Sequence, residues 1–113
     1  MTMKIASLIK QLKGLAPYSY ESADQYFCAL CDLCEMTRLA NLEMAGLRHP
    51  EPGVVQSLVA QIKVCLQEFK IRYKDFSENL SSDQQGLAND FFGSINERIA
   101  EILETQTLAL AGS

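Results

Sequence analysis

Between Val55 and Leu80 the residues Val55, Val59, Ile62, Leu66, Phe69, Tyr73, Phe76 and Leu80 follow one another at alternating steps of four and three. That spacing puts all eight on one narrow stripe of a helix, the a/d seam by which helices pack on one another. The longest hydrophobic repeat in the chain therefore predicts an all-α bundle, with this helix spanning residues 52–80.

The remaining elements follow from the same reading. Over residues 1–15, Ile5, Leu8, Ile9 and Leu12 recur at helical spacing with Lys4, Lys10 and Lys13 between them, which predicts a short amphipathic helix that Thr2 can cap. Gly14 and Pro17 interrupt it. A second helix, 19–47, opens near Ser19 or at Ser22, where Ser22 and Gln25 fit a capping box. Its inward face is Ala23, Tyr26, Phe27, Leu30, Leu33, Cys34, Ala40, Met44 and Leu47. His49-Pro50-Glu51-Pro52-Gly53 breaks the pattern, since residues before prolines are pushed out of the helical region, and Pro52 suits the first turn of the next helix. A last helix, 82–110, begins at a second capping box, Ser81 with Gln84 or Ser82 with Gln85. It turns Ala88, Phe91, Phe92, Ile95, Ile99, Ile102, Leu103 and Leu110 inward and should fray from about Leu110. The expected architecture is one domain, 1–113: an up-down-up bundle of three long helices with a short N-terminal helix attached.

Composition changes little in that picture. With 113 residues, 48% of them hydrophobic and 21% charged, the chain suits a single domain burying roughly two-thirds of its unfolded surface. No transmembrane segment is expected, since no run approaches the twenty or so apolar residues of a span, and with no export signal in view a cytoplasmic location follows.

Charge narrows the partners. A formal net charge of −4 offers no cationic field for a phosphate backbone, so nucleic acid is not an expected partner. Residues 1–16 carry three lysines and no acid, whereas residues 81–113 carry Asp83, Asp90, Glu97, Glu101 and Glu104 against Arg98 alone. The first helix thus has three fates open to it: an anionic membrane surface, a partner, or its own acidic bundle.

Cys28, Cys31 and Cys34, with Cys65 on the next helix, form the most conspicuous group of reactive side chains. Two-residue spacers between thiols occur in metal and iron–sulfur loops, but here they fall inside a strongly periodic helix. Each three-residue step turns the side chain back by about 60°, so the thiols fan out from the core edge at Cys34 toward the acidic side at Cys28. A nucleophilic thiolate needs positive surroundings, and Cys28 stands between Asp24 and Asp32. The lone histidine, His49, precedes a proline at a helix end, and the six glycines make no phosphate loop. No enzyme chemistry and no cofactor are expected.

One feature departs from a simple bundle. On the third helix Ala60, Val64 and Ile71 project about 140–180° away from the seam, with Lys63, Lys70 and Lys74 beside them. Val64 and Ile71 are one heptad apart, the spacing a second helix reads. The expected interface is Ala60, Val64 and Ile71 together with Ile5, Leu8, Ile9 and Leu12. The expected function is non-catalytic protein–protein interaction of the adaptor, chaperone, immunity, inhibitor or regulator kind, with a protein partner or with itself as a homodimer. The alternative is a thiol-dependent metal-binding or redox protein using Cys28, Cys31 and Cys34.

Overall fold

The computed structural model describes residues 2–15, 20–46 and 51–111, with side chains described from residue 5 to residue 104 apart from Pro52 and the gaps between those ranges. It is all-α: helices α1 (Thr2–Lys13), α2 (Ala23–Ala45), α3 (Pro52–Phe76) and α4 (Ser82–Ala111) follow one another, and no strand occurs among the described residues. The expected Thr2 cap, the inward placement of Leu47 and Leu110, and the His49-Pro50 turn lie outside the described side chains.

Local chemistry sets the helix ends. Gly14 closes α1 by donating its N–H to the carbonyls of Lys10 and Gln11 at 3.2 and 3.0 Å. Ser22 is extended, and its Oγ accepts the Gln25 N–H at 3.2 Å. The Gln25 carboxamide oxygen returns not to Ser22 but to the N–H of Glu21, at 2.9 Å. At the other box the reciprocal pair forms in full: Ser81 Oγ accepts from Gln84 N–H at 3.1 Å, and Gln84 Oε1 accepts from Ser81 N–H at 3.0 Å.

The third helix ends earlier than its hydrophobic repeat. After Phe76 the chain tightens into a 3₁₀ turn, Ser77–Asn79, and Leu80 is extended. Gln85 Nε2 donates to the carbonyls of Ser77 and Leu80 at 2.7 and 3.2 Å, satisfying acceptors that the end of a helix leaves open. Leu80 is buried all the same, so the sequence repeat reports its side-chain position rather than its backbone state.

Packing then assembles a helical bundle, 50 × 23 × 18 Å in extent, close to the length of the 30-residue α4 at about 1.5 Å per residue. Helix α2 lies chiefly on α4, α4 also on α3, and α1 in the angle between α3 and α2. Three pairs mark the α2–α4 seam: the Phe27 and Phe91 rings at 6.0 Å, Arg98 against Cys34 and Thr37, and Asn41 donating to the Glu101 carboxylate. Residue numbers rise together on both helices, so α2 and α4 run in the same direction.

The seam of α3 is buried as its spacing predicts, with Val55, Val59, Ile62, Leu66 and Phe69 in the core and Tyr73 and Phe76 packed against it. Leu58 and Cys65 are buried too, because α1 lies along that flank and widens the stripe; the Cys65 thiol donates to the Leu12 carbonyl at 3.3 Å. Tyr26 stands over α3 with its ring 5.4 Å from Phe69 and stacked at 4.8 Å on Phe76, and its hydroxyl donates to the Phe69 carbonyl. Truncating the fully buried Phe69 to alanine costs about 3–5 kcal/mol. Two positions depart from the expected core. Leu103 is 37% exposed, since it sits about 100° round the helix from the buried Ile102, and Thr37, left out of the expected core, is fully buried.

Candidate interaction surface

The residues of the expected interface divide into two groups. Ile5, Leu8 and Leu12 lie in the chain's own core and Ile9 packs against it, so the apolar face of α1 is spent within the fold. Ala60, Val64 and Ile71 are exposed, Val64 at 55% and Ile71 at 47%, and α1 covers none of them. The geometric reason is the docking angle: α1 settles beside Leu58 and Cys65, roughly a quarter turn round α3 from Val64.

Around those apolar residues, Lys63, Lys70 and Lys74 are exposed, in a protein whose net charge is negative. Lys63 and Lys70 make no ion pair within the chain among the described residues. Arg72 pairs with Asp75 at 3.3 Å on the same helix, both side chains partly exposed, an arrangement that contributes little to stability. Leu39 and Leu42 on α2 and Leu87 on α4 are exposed as well, but each lacks an apolar exposed companion one heptad away. Periodicity alone did not single these out.

The thiols fan out along α2. Cys28 is exposed, Cys31 and Cys34 are half-buried, Cys65 is buried on α3, and all four are free. Among the described residues no group of three His, Cys, Asp or Glu side chains is placed to hold a metal ion. Burial pushes the Cys31 thiol up, and the neighbouring Cys28, Asp32 and Cys34 add to it; burial also raises Cys65. Both shifts hold the thiol protonated rather than prepare it as a nucleophile. The hollow beside Cys28 is lined by Leu15, Tyr20, Asp24, Gln25, Ala29 and Asp32, which supply carboxylates but no base of the lysine, arginine or histidine kind.

Cys34 has a role that spacing did not reveal. Arg98 reaches across from α4 and places one guanidinium nitrogen 3.2 Å from the Cys34 sulfur, 2.7 Å from its main-chain carbonyl and 3.2 Å from Thr37 Oγ1. The sole basic side chain of residues 81–113 is thereby a strut between helices. The only signal in the sequence was its isolation among acids.

No family model, curated protein or solved structure matches the chain. Among the described residues, no helix is long and apolar enough to cross a membrane.

Proposed function

We propose that the chain is a non-catalytic helical bundle that acts by binding protein, through the outer face of α3. The observation that carries this reading is the exposure of Val64 and Ile71, one heptad apart, on a helix whose opposite side is already filled. Exposed β-branched residues at that spacing form a ridge that a second helix can cover. The same reading takes the long helices as alternating up-down-up with α1 alongside, supported by the common direction of α2 and α4. Four free cysteines fit a reducing cytoplasm.

The test is a double variant, Val64→Glu with Ile71→Glu. Both sites are half open, so the variant should keep the helical circular dichroism of the wild type. It should lose association, or lose a partner identified by mass and rebound from purified components, because a glutamate in the covered ridge would be desolvated among apolar side chains. A variant that matches wild type in both assays removes α3 as the binding face.

A further inference from the structure

The outer face of α3 carries a second heptad pattern, separate from the buried seam. Ser57, Ala60, Val64, Gln67, Ile71 and Lys74 alternate steps of three and four, and all six are exposed. Placing Ser57, Val64 and Ile71 at a puts Ala60, Gln67 and Lys74 at d. The flanks then sort by charge. One side, the g positions, is Gln56, Lys63 and Lys70; the other, the e positions, is Gln61, Glu68 and Asp75.

That sorting selects an orientation. In a parallel pair of helices, each g residue meets the e residue five places later on the other chain. Lys63 then meets Glu68, Lys70 meets Asp75 and Gln56 meets Gln61, so every flanking contact is complementary. In an antiparallel pair g faces g and e faces e, which sets lysine against lysine and acid against acid. We propose that α3 pairs with α3 of a second copy, parallel and in register, about a twofold axis running along Val64 and Ile71.

The inference rests on α3 being the binding face and adds the occupant and its direction. Other features agree with it. Lys63, Lys70 and Glu68 have no ion-pair partner within their own chain among the described residues, and Asp75 holds only the half-buried Arg72 at 3.3 Å, a weak attachment. Valine and isoleucine at a favour two-stranded pairs, and a twofold contact closes on itself instead of growing into a filament. Gln67 and Lys74 stand at d where a tight zipper has leucine, and the parallel register sets Lys74 against its own copy at the end of the seam, so the pair is reversible and concentration-dependent.

Sedimentation of the full chain over a concentration series, with two charge-reversed variants, tests this. Lys63→Glu with Lys70→Glu makes both flanks acidic, and Glu68→Lys with Asp75→Lys makes both basic. Each should weaken self-association by roughly a hundredfold, since four weak attractions become repulsions, and an equimolar mixture of the two should dimerise again. Register is read by oxidation of Ala60→Cys and, separately, Lys74→Cys in a Cys28→Ser, Cys31→Ser background. The two positions lie 14 residues apart, about 21 Å along the helix. Both form symmetric disulfide dimers in a parallel pair, and at most one does in an antiparallel pair.

A wild-type chain that stays monomeric throughout overturns self-pairing while leaving α3 as a face for a different protein, which the Val64→Glu, Ile71→Glu variant decides. A dimer indifferent to both charge reversals, or one cross-linked at a single position only, overturns the parallel register. Should a charge variant unfold, the two cysteine variants still distinguish parallel from antiparallel pairing.

Discussion

Arg98 on α4 donates to the main-chain carbonyl of Cys34 on α2 at 2.7 Å, joining the two helices that pack most extensively on each other among the described residues. The same nitrogen is shared with the Cys34 sulfur and Thr37 Oγ1, and the Thr37 hydroxyl itself donates back to the Cys34 carbonyl at 2.7 Å. One half-buried cation thus meets three acceptors on a single turn of α2. That meets the hydrogen-bonding need of Thr37, the one polar residue fully buried among those described.

Replacing Arg98 with alanine should therefore destabilise the fold by about 1–2 kcal/mol, the range for hydrogen bonds to a charged group discounted for partial exposure. Arg98→Lys should recover part of the loss, since an ammonium reaches one or two of the three acceptors. Urea denaturation of the three proteins checks the order. Equal midpoints would mean that the strut carries no net stability.

Tyr26 links stability to alkaline pH. Burial favours the uncharged phenol, with a further contribution from Tyr73, so in the folded state Tyr26 ionises well above the ordinary tyrosine value of about 10. As pH rises, the unfolded chain loses this proton first. The stabilisation is whole below about pH 10 and is lost progressively above it. At neutral pH, Tyr26→Phe should cost about 1 kcal/mol for the hydrogen bond to the Phe69 carbonyl, which keeps its place in the helix. Above pH 10 the gap between variant and wild type should narrow and then reverse; denaturation at pH 7 and pH 11 measures it. A gap that stays constant would place the Tyr26 hydroxyl in contact with solvent.

Among the cysteines, Cys28→Ser should change stability by less than about 0.5 kcal/mol, as surface substitutions do, and Cys31→Ser at a half-buried site by no more than about 1 kcal/mol. The sequence points to Cys34 as the most sensitive of the three, because a buried hydroxyl without a partner is costly. The structure moderates that expectation: Arg98 stands ready to donate to a serine Oγ at position 34. Cys65 is the more sensitive site, buried between α1 and α3 with its sulfur on the Leu12 carbonyl, and Cys65→Ala should cost about 1–2 kcal/mol. Thermal melts of the four variants give the ranking. Stoichiometric zinc or copper in the native protein, lost on Cys28→Ser, would instead revive a metal role for the row.

The sequence by itself determined the helices and most of what each one buries. Steps of three and four put Val55, Val59, Ile62, Leu66 and Phe69 on one side of α3, and a side chain's direction on a helix depends only on its place in the repeat. A capping box at the start of α4 was readable too, because such a box closes within four residues. The sequence left Ser81 with Gln84 and Ser82 with Gln85 both open, and the structure chose the first. Tertiary structure decided which helices meet. Nothing in a periodic pattern says that α2 rests mainly on α4 rather than on its neighbour in sequence α3, because each apolar stripe is compatible with any other stripe of similar width. That choice made Arg98 a strut and put Thr37 in the core. It also decided the division of the expected interface: α1 docked beside Cys65, which buried Ile5, Leu8 and Leu12 and left Val64 and Ile71 in solvent. The angle at which two helices cross depends on the shapes of both surfaces at once, and no single segment of the chain contains that information.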